Sequence, residues 1–159
     1  MPLQKTYREE TLLLSRDCDL GGLWRPSAIL TAMQETAGAH SHALGCGRQT
    51  LVKNGIVWVL TRCEVRMDRE AHIGERLSIE TFPMPLRRWF FPRYFVFRDA
   101  AGEQLGAAGT LWVLFDLEKR CMVAPGEVAK AIPDNSDLVP PLGVPGPVPR
   151  LTGAETESM

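Results

Sequence analysis

The sequence predicts an α+β domain in which a curved antiparallel sheet wraps one long helix, and three observations predict it. Apolar residues recur at three- and four-residue steps over Pro26 to Leu44, the spacing of one helix face. Four segments of strand character then follow in close succession: Ile56 to Met67, Glu75 to Phe82, Trp89 to Arg98 and Gln104 to Asp116. Between them stand His72-Ile73-Gly74, Pro83-Met84-Pro85 and Asp99-Ala100-Ala101-Gly102, rich in the residues that turns require. The expected order is a strand, a long helix and a meander.

Tyr7 to Arg16 reads as the first strand, with Tyr7, Thr11 and Leu13 on one side and Glu10, Leu12 and Leu14 on the other. A glycine turn, Asp17-Cys18-Asp19-Leu20-Gly21-Gly22, leads from it into the helix. Pro26 suits the first helical turn, and Ile29, Leu30, Met33, Ala37, His40 and Leu44 make the apolar stripe that closes at Gly45 and Gly47. Arg48 to Asn54 reads as a loop before the strands. A short strand at Arg120 to Val123 and a small helix from Pro125 to Ile132 complete the domain. Beyond Pro133 the chain is rich in Pro and Gly, which predicts an extended or disordered tail. The organisation expected is one domain over 1–132 and a tail over 133–159, with no independent fold in Leu138 to Met159.

A chain of 159 residues with 45% hydrophobic and 23% charged residues fits one globular core. Its net charge of -1 supplies no field for holding a polyanion, so nucleic acid is not an expected partner. Met1 to Leu14 lacks a secretory pattern and no apolar run is long enough to span a bilayer, which predicts a cytoplasmic protein. Cys18, Cys46, Cys63 and Cys121 are scattered without a CxxC pair. Neither a metal site nor a disulfide framework is expected, and nothing calls for a cofactor.

The candidate chemistry gathers at the helix entrance. A helix N-terminus offers unpaired N–H groups that polarise a carbonyl, and the Asp19 carboxylate stands beside it to attack or to activate a water. Backbone N–H groups where the helix starts are the expected oxyanion donors, and Gly21 and Gly22 let a substrate approach closely. Pro26 has no N–H, so a neighbouring residue must supply the donor. The structural alternative makes Asp19 a turn cap. Glu35 is the second candidate acid, because a carboxylate within an apolar helix faces solvent, pairs, or serves a site. His40 lies on the stripe with Met33 and Ala37, as catalyst or as hydrogen-bonded core. Trp24 and Trp58 are candidate walls of an apolar pocket, and Arg87 and Arg88, with Arg93 close by, are candidate phosphate contacts.

One long helix with four or five antiparallel strands describes the hotdog architecture. Its sheet edges favour a homodimer that pairs edge to edge; the alternative is a monomer whose edges Arg and Pro protect. The segments Gln34 to His40, Trp58 to Arg69, Gly74 to Pro83, Phe97 to Glu103 and Leu111 to Asp116 resemble the first half of acyl-acyl carrier protein thioesterases. Asp17 to Gly22, DCDLGG, is similar to the turn of single-hotdog acyl-CoA thioesterases, a resemblance that implies Asp19 as the catalytic carboxylate. Together they imply a thioester hydrolase acting on acyl carrier protein or coenzyme A thioesters. The double-hotdog relatives keep their reactive residues in a second half, and nothing after Ile132 reads as one. A non-catalytic acyl-binding module that partners a separate subunit is therefore the alternative. A hotdog dehydratase is disfavoured, since no dehydratase motif surrounds His40, His42 or His72.

Overall fold

The structure, a computed structural model, describes residues 2–150. Strand β1 (Tyr7–Leu12) precedes helix α1 (Pro26–Ala43) and a short helix α2 (Arg48–Val52). Strands β2 (Ile56–Met67), β3 (Arg76–Pro83), β4 (Phe91–Arg98), β5 (Gln104–Asp116) and β6 (Cys121–Val123) follow. All pairings are antiparallel, in the order β1-β3-β4-β5-β2 with β6 added to β5. This is the α+β hotdog arrangement, a curved sheet around one long helix.

The expected meander is only partly present. β3, β4 and β5 are sequential neighbours, but β2 pairs with β5 at the far edge, from Ile56 opposite Asp116 to Met67 opposite Gly106. Period-two patterning orients a strand's faces without choosing its neighbour. Segment 68–75 carries the chain back across the sheet and is pinned on the way. Trp24 N–H donates to Ala71 O, Ile73 N–H to Gly22 O and Gly74 N–H to Leu13 O.

Three boundaries differ from the sequence reading for local reasons. β1 stops at Leu12 because Ser15–Asp17 forms a 3-10 turn in which Asp17 Oδ2 accepts the Leu14 N–H at 2.9 Å. Arg48–Val52 is helical rather than loop, entered from extended Gly47, and its Leu51 is buried. β4 begins at Phe91 because Arg88 and Trp89 are the tip of a hairpin, with mutual bonds between Arg87 and Phe90 and Arg88 at φ 57. The closing helix is a 3-10 segment, Gly126–Ala131.

Alternation along β4 decides where the core sits. Phe95 and Phe97 face α1 and pack with Leu77, Ile79 and Leu105 against Trp24, Ile29, Met33 and Ala37. Each fully buried aromatic of this kind stabilises the fold by about 1.5–3 kcal/mol. The helix lies over β1 and β3. A second cluster, Leu51, Phe91 and Leu114 with Trp58, Trp112, Val128 and Ile132, fills the other end.

Residues 133–150 contain no helix or strand. Asn135 is buried and its Nδ2 donates to Lys5 O at 2.9 Å and Pro83 O at 2.7 Å, while Leu142 and Pro145 lie beside Gly109 on the outer sheet face. The rest of the expected tail, 151–159, lies outside the described residues. Among the described residues no helix is long and apolar enough to cross a membrane.

Candidate functional site

The helix entrance is a closed turn. Asp19 Oδ1 accepts from Gly21 N–H at 2.8 Å and from Leu23 N–H at 3.0 Å, and Gly22 N–H donates to Asp19 O at 3.0 Å. Gly22 adopts φ +78, a conformation that favours glycine, and packs against Ile73. The N–H groups of Gly21, Gly22 and Leu23 are thus all turned onto Asp19. They shape the turn, and Asp19 caps it with one oxygen. Asp19 is exposed, and α1 begins at Pro26 with no side-chain cap on Arg25. Trp24 is buried, its ring edge-on to Phe97 at 5.5 Å.

Two hollows flank α1. The more enclosed, of about 350 Å³, lies between the middle and C-terminal half of α1 and the strands β2, β4 and β5. Its walls include Trp58, Leu60, Phe91, Trp112 and Ile132, with Gln34, Ser41, Arg48 and Arg93 as polar members. Trp58 holds its place by donating Nε1–H to Cys46 O at 2.9 Å and meeting Phe91 edge-on at 4.8 Å. The second hollow is larger and more open, between β1 and the first half of α1. Trp24 and the carboxylates of Glu9, Glu10, Asp17 and Glu35 border it.

The sequence candidates are therefore dispersed. Asp19 borders neither hollow, Glu35 is exposed at the second, and His40 is wholly buried and lines neither. At 1.5 Å per helical residue, roughly 12 Å or more of helix separates Pro26 from the cavity residues that begin at Gln34. Arg87 and Arg88 are exposed on the β3–β4 hairpin, outside the cavity.

His40 holds a structural post. Its Nε2–H donates to Gln4 O at 2.8 Å, which leaves Nδ1 to accept from Arg93 Nη1–H at 3.0 Å, and its ring stacks on Tyr7 at 5.8 Å. Burial, reinforced by the Arg93 charge and opposed by the Gln4 carbonyl, lowers its pKa from 6.5 to about 4. A neutral, sealed imidazole is poorly placed for proton transfer to a substrate. Arg93 itself is buried; burial lowers its pKa to about 10, leaving it a cation at neutral pH. The sequence reading placed Arg93 in a basic run, although its inward position in Phe91-Pro92-Arg93-Tyr94-Phe95 was a legible signal.

The family model for the acyl-ACP thioesterase N-terminal domain matches residues 4–132. No curated protein matches the chain. Among solved structures, an acyl-ACP thioesterase from Bacteroides thetaiotaomicron superposes with TM-score 0.80 at 22% identity, over 92% of this chain and 60% of that one. The 12:0-ACP thioesterase from Umbellularia californica gives TM-score 0.75 at 20% identity, over 96% and 62%. A 1,4-dihydroxy-2-naphthoyl-CoA thioesterase from Synechocystis gives 0.72 at 19%, over 80% of this chain and 95% of that one. The chain spans about three-fifths of the length of the first two, and at these identities the likeness is one of fold.

Proposed function

The chain belongs to the acyl-ACP thioesterase N-terminal domain family, and from that membership we propose that it hydrolyses acyl thioesters carried on acyl carrier protein or coenzyme A, releasing the fatty acid. The observation that carries this reading is the cavity of about 350 Å³ walled by Trp58, Leu60, Phe91 and Trp112. Its size falls in the range of small-molecule sites, and its walls suit an alkyl chain. Arg87 and Arg88 on the neighbouring hairpin offer guanidinium forks to the phosphates of either carrier. Hydrolysis then needs a carboxylate to attack the thioester or to activate water. Asp19 is that carboxylate by resemblance, its Oδ2 free of protein donors among the described residues, with Glu35 as the alternative acid.

The active unit in this reading is a cytoplasmic homodimer joined along β2. That strand forms one edge of the sheet, and the backbone groups on its outer side invite a second strand. Light scattering at micromolar concentration should give twice the chain mass; the mass of one chain would count against the dimer.

A second reading has one observation behind it. The N–H groups of Gly21 and Leu23, the donors nearest the Asp19 carboxylate, are already engaged by it, and Pro26 at the first helical position has no N–H, which leaves the carboxylate short of the oxyanion partners that acyl transfer needs. On that reading the chain binds acyl groups and another subunit hydrolyses them. A panel of acyl carrier protein and coenzyme A thioesters of graded length separates the two. Asp19→Asn should lower kcat by about 10², the scale of an acid/base group, with KM little changed. Loss of activity in Glu35→Gln instead would move the role to Glu35, and binding without any hydrolysis by the wild type would leave the binding module.

A further inference from the structure

Arg93 is an inward-facing cation. It is 6% exposed, lines the cavity and enters no ion pair among the described residues. Its Nη1 donates to His40 Nδ1 at 3.0 Å and to Thr81 Oγ1 at 3.2 Å. A guanidinium has five N–H groups, and those on Nε and Nη2 reach no protein acceptor among the described residues. Nor are they sealed in apolar packing, for the buried side-chain polar atoms that lack a partner there are Ser78 Oγ and Asn135 Oδ1. Since Arg93 lines the cavity, these remaining donors are the ones left to a cavity ligand.

Building on the reading of this cavity as the acyl site, we infer that it takes an alkyl chain ending in a carboxylate, with the carboxylate seated on Arg93. A plain alkyl end pressed against Arg93 strips water from the cation and returns no hydrogen bond, a penalty that falls on the complex. A carboxylate replaces that water with charge-assisted bonds to the open side of the fork. The methylenes lie against Trp58, Leu60, Phe91 and Trp112. His40 and Thr81 act as positioning residues, holding one edge of the guanidinium so that the other faces the ligand. The carboxylate has two possible sources, the far end of an acyl group or a free fatty acid entering head first.

The test titrates octanoate and octanol into the wild type, Arg93→Met and Arg93→Lys by calorimetry. Octanoate should bind the wild type about tenfold or more tightly than octanol, as expected of a site built to hydrogen-bond its ligand. The gap should close in Arg93→Met and return in part in Arg93→Lys. Arg48, the other cation lining the cavity, is unchanged throughout, so general attraction for an anion cancels. Equal affinities in the wild type, or a gap that survives Arg93→Met, would overturn the inference. If Arg93→Met does not fold, the wild-type ratio and its reduction in Arg93→Lys decide the matter. Steady-state KM values for octanoyl-CoA and its ω-carboxy counterpart then identify the source. A lower KM for the ω-carboxylated thioester assigns the carboxylate to the acyl group, and equal values beside tight octanoate binding assign it to the free acid. Retained octanoate preference with no hydrolysis of either thioester would sink the hydrolase reading and leave this one standing.

Discussion

Between pH 7 and pH 4 the fold is expected to lose up to about 3 kcal/mol of stability through His40 alone. The imidazole is buried, its Nε2–H is committed to Gln4 O, and its Nδ1 accepts from a cation, so protonation removes that acceptor and sets two positive charges together. Burial first, and Arg93 second, lower its pKa from 6.5 to about 4. The unfolded chain therefore takes up a proton as pH falls through 6.5 while the folded chain resists until about 4. The contribution is complete above 6.5 and declines through that window. The carboxylates whose pKa values are lowered, Glu75, Asp99, Asp134 and Asp137, add acid sensitivity below their ordinary range. His40→Gln separates the two effects, because the amide offers both an acceptor for Arg93 and a donor for Gln4 but does not titrate. Urea unfolding at several pH values should show a shallower decline in the variant between pH 6.5 and 4; parallel curves would refute the assignment.

Gly106→Ala should cost about 3 kcal/mol or more, at the upper end of what overpacking usually costs. Gly106 pairs with Met67 on one side and Phe97 on the other, and an added Cβ would stand 2.4 Å from Arg66 O, 2.8 Å from Met67 Sδ and 3.0 Å from Met67 Cα. The Met67 sulfur can move with its flexible side chain, but the Arg66 carbonyl can move only with its strand. Accommodation therefore pulls β2 from β5 at the end where the chain turns back across the sheet. Gly143→Ala, with nothing within 4 Å of the added methyl, is the control. A urea midpoint in Gly106→Ala close to that of the control would mean that the strands separate more cheaply than their packing implies.

The legible parts of this fold were those encoded in local pattern. β2 and β5 appear with the expected bounds because their strand character is local, an apolar start followed by alternation in β2 and a mostly small and apolar run in β5. α1 ends within a residue of expectation because Leu44 and Gly45 stop its stripe. The unread parts depend on partners distant in sequence. Nothing in Ile56 to Met67 says that it pairs with β5 rather than β3, and the polar look of Arg48 to Asn54 hides the one buried contact, Leu51, that makes α2 worth forming. At the site, the sequence singled out Asp19 for its position before the helix but could not show that Gly21 and Leu23 turn their N–H groups onto it. It grouped Arg93 with Arg87 and Arg88 by proximity, while strand alternation sends Arg93 inward and the hairpin sends the other two outward.

The return of segment 68–75 across the sheet also bears on when the chain acquires its Asp19 turn. That turn is locally hydrogen-bonded, yet Leu23 bridges His72, Trp24 donates to Ala71, and Gly22 accepts from Ile73. These are non-local contacts, whose closure entropy must be met before they stabilise anything. The Asp19 loop consequently reaches its final position only after β2 has been laid down and the chain has doubled back, so a nascent chain released before residue 74 emerges carries the aspartate on an unanchored loop.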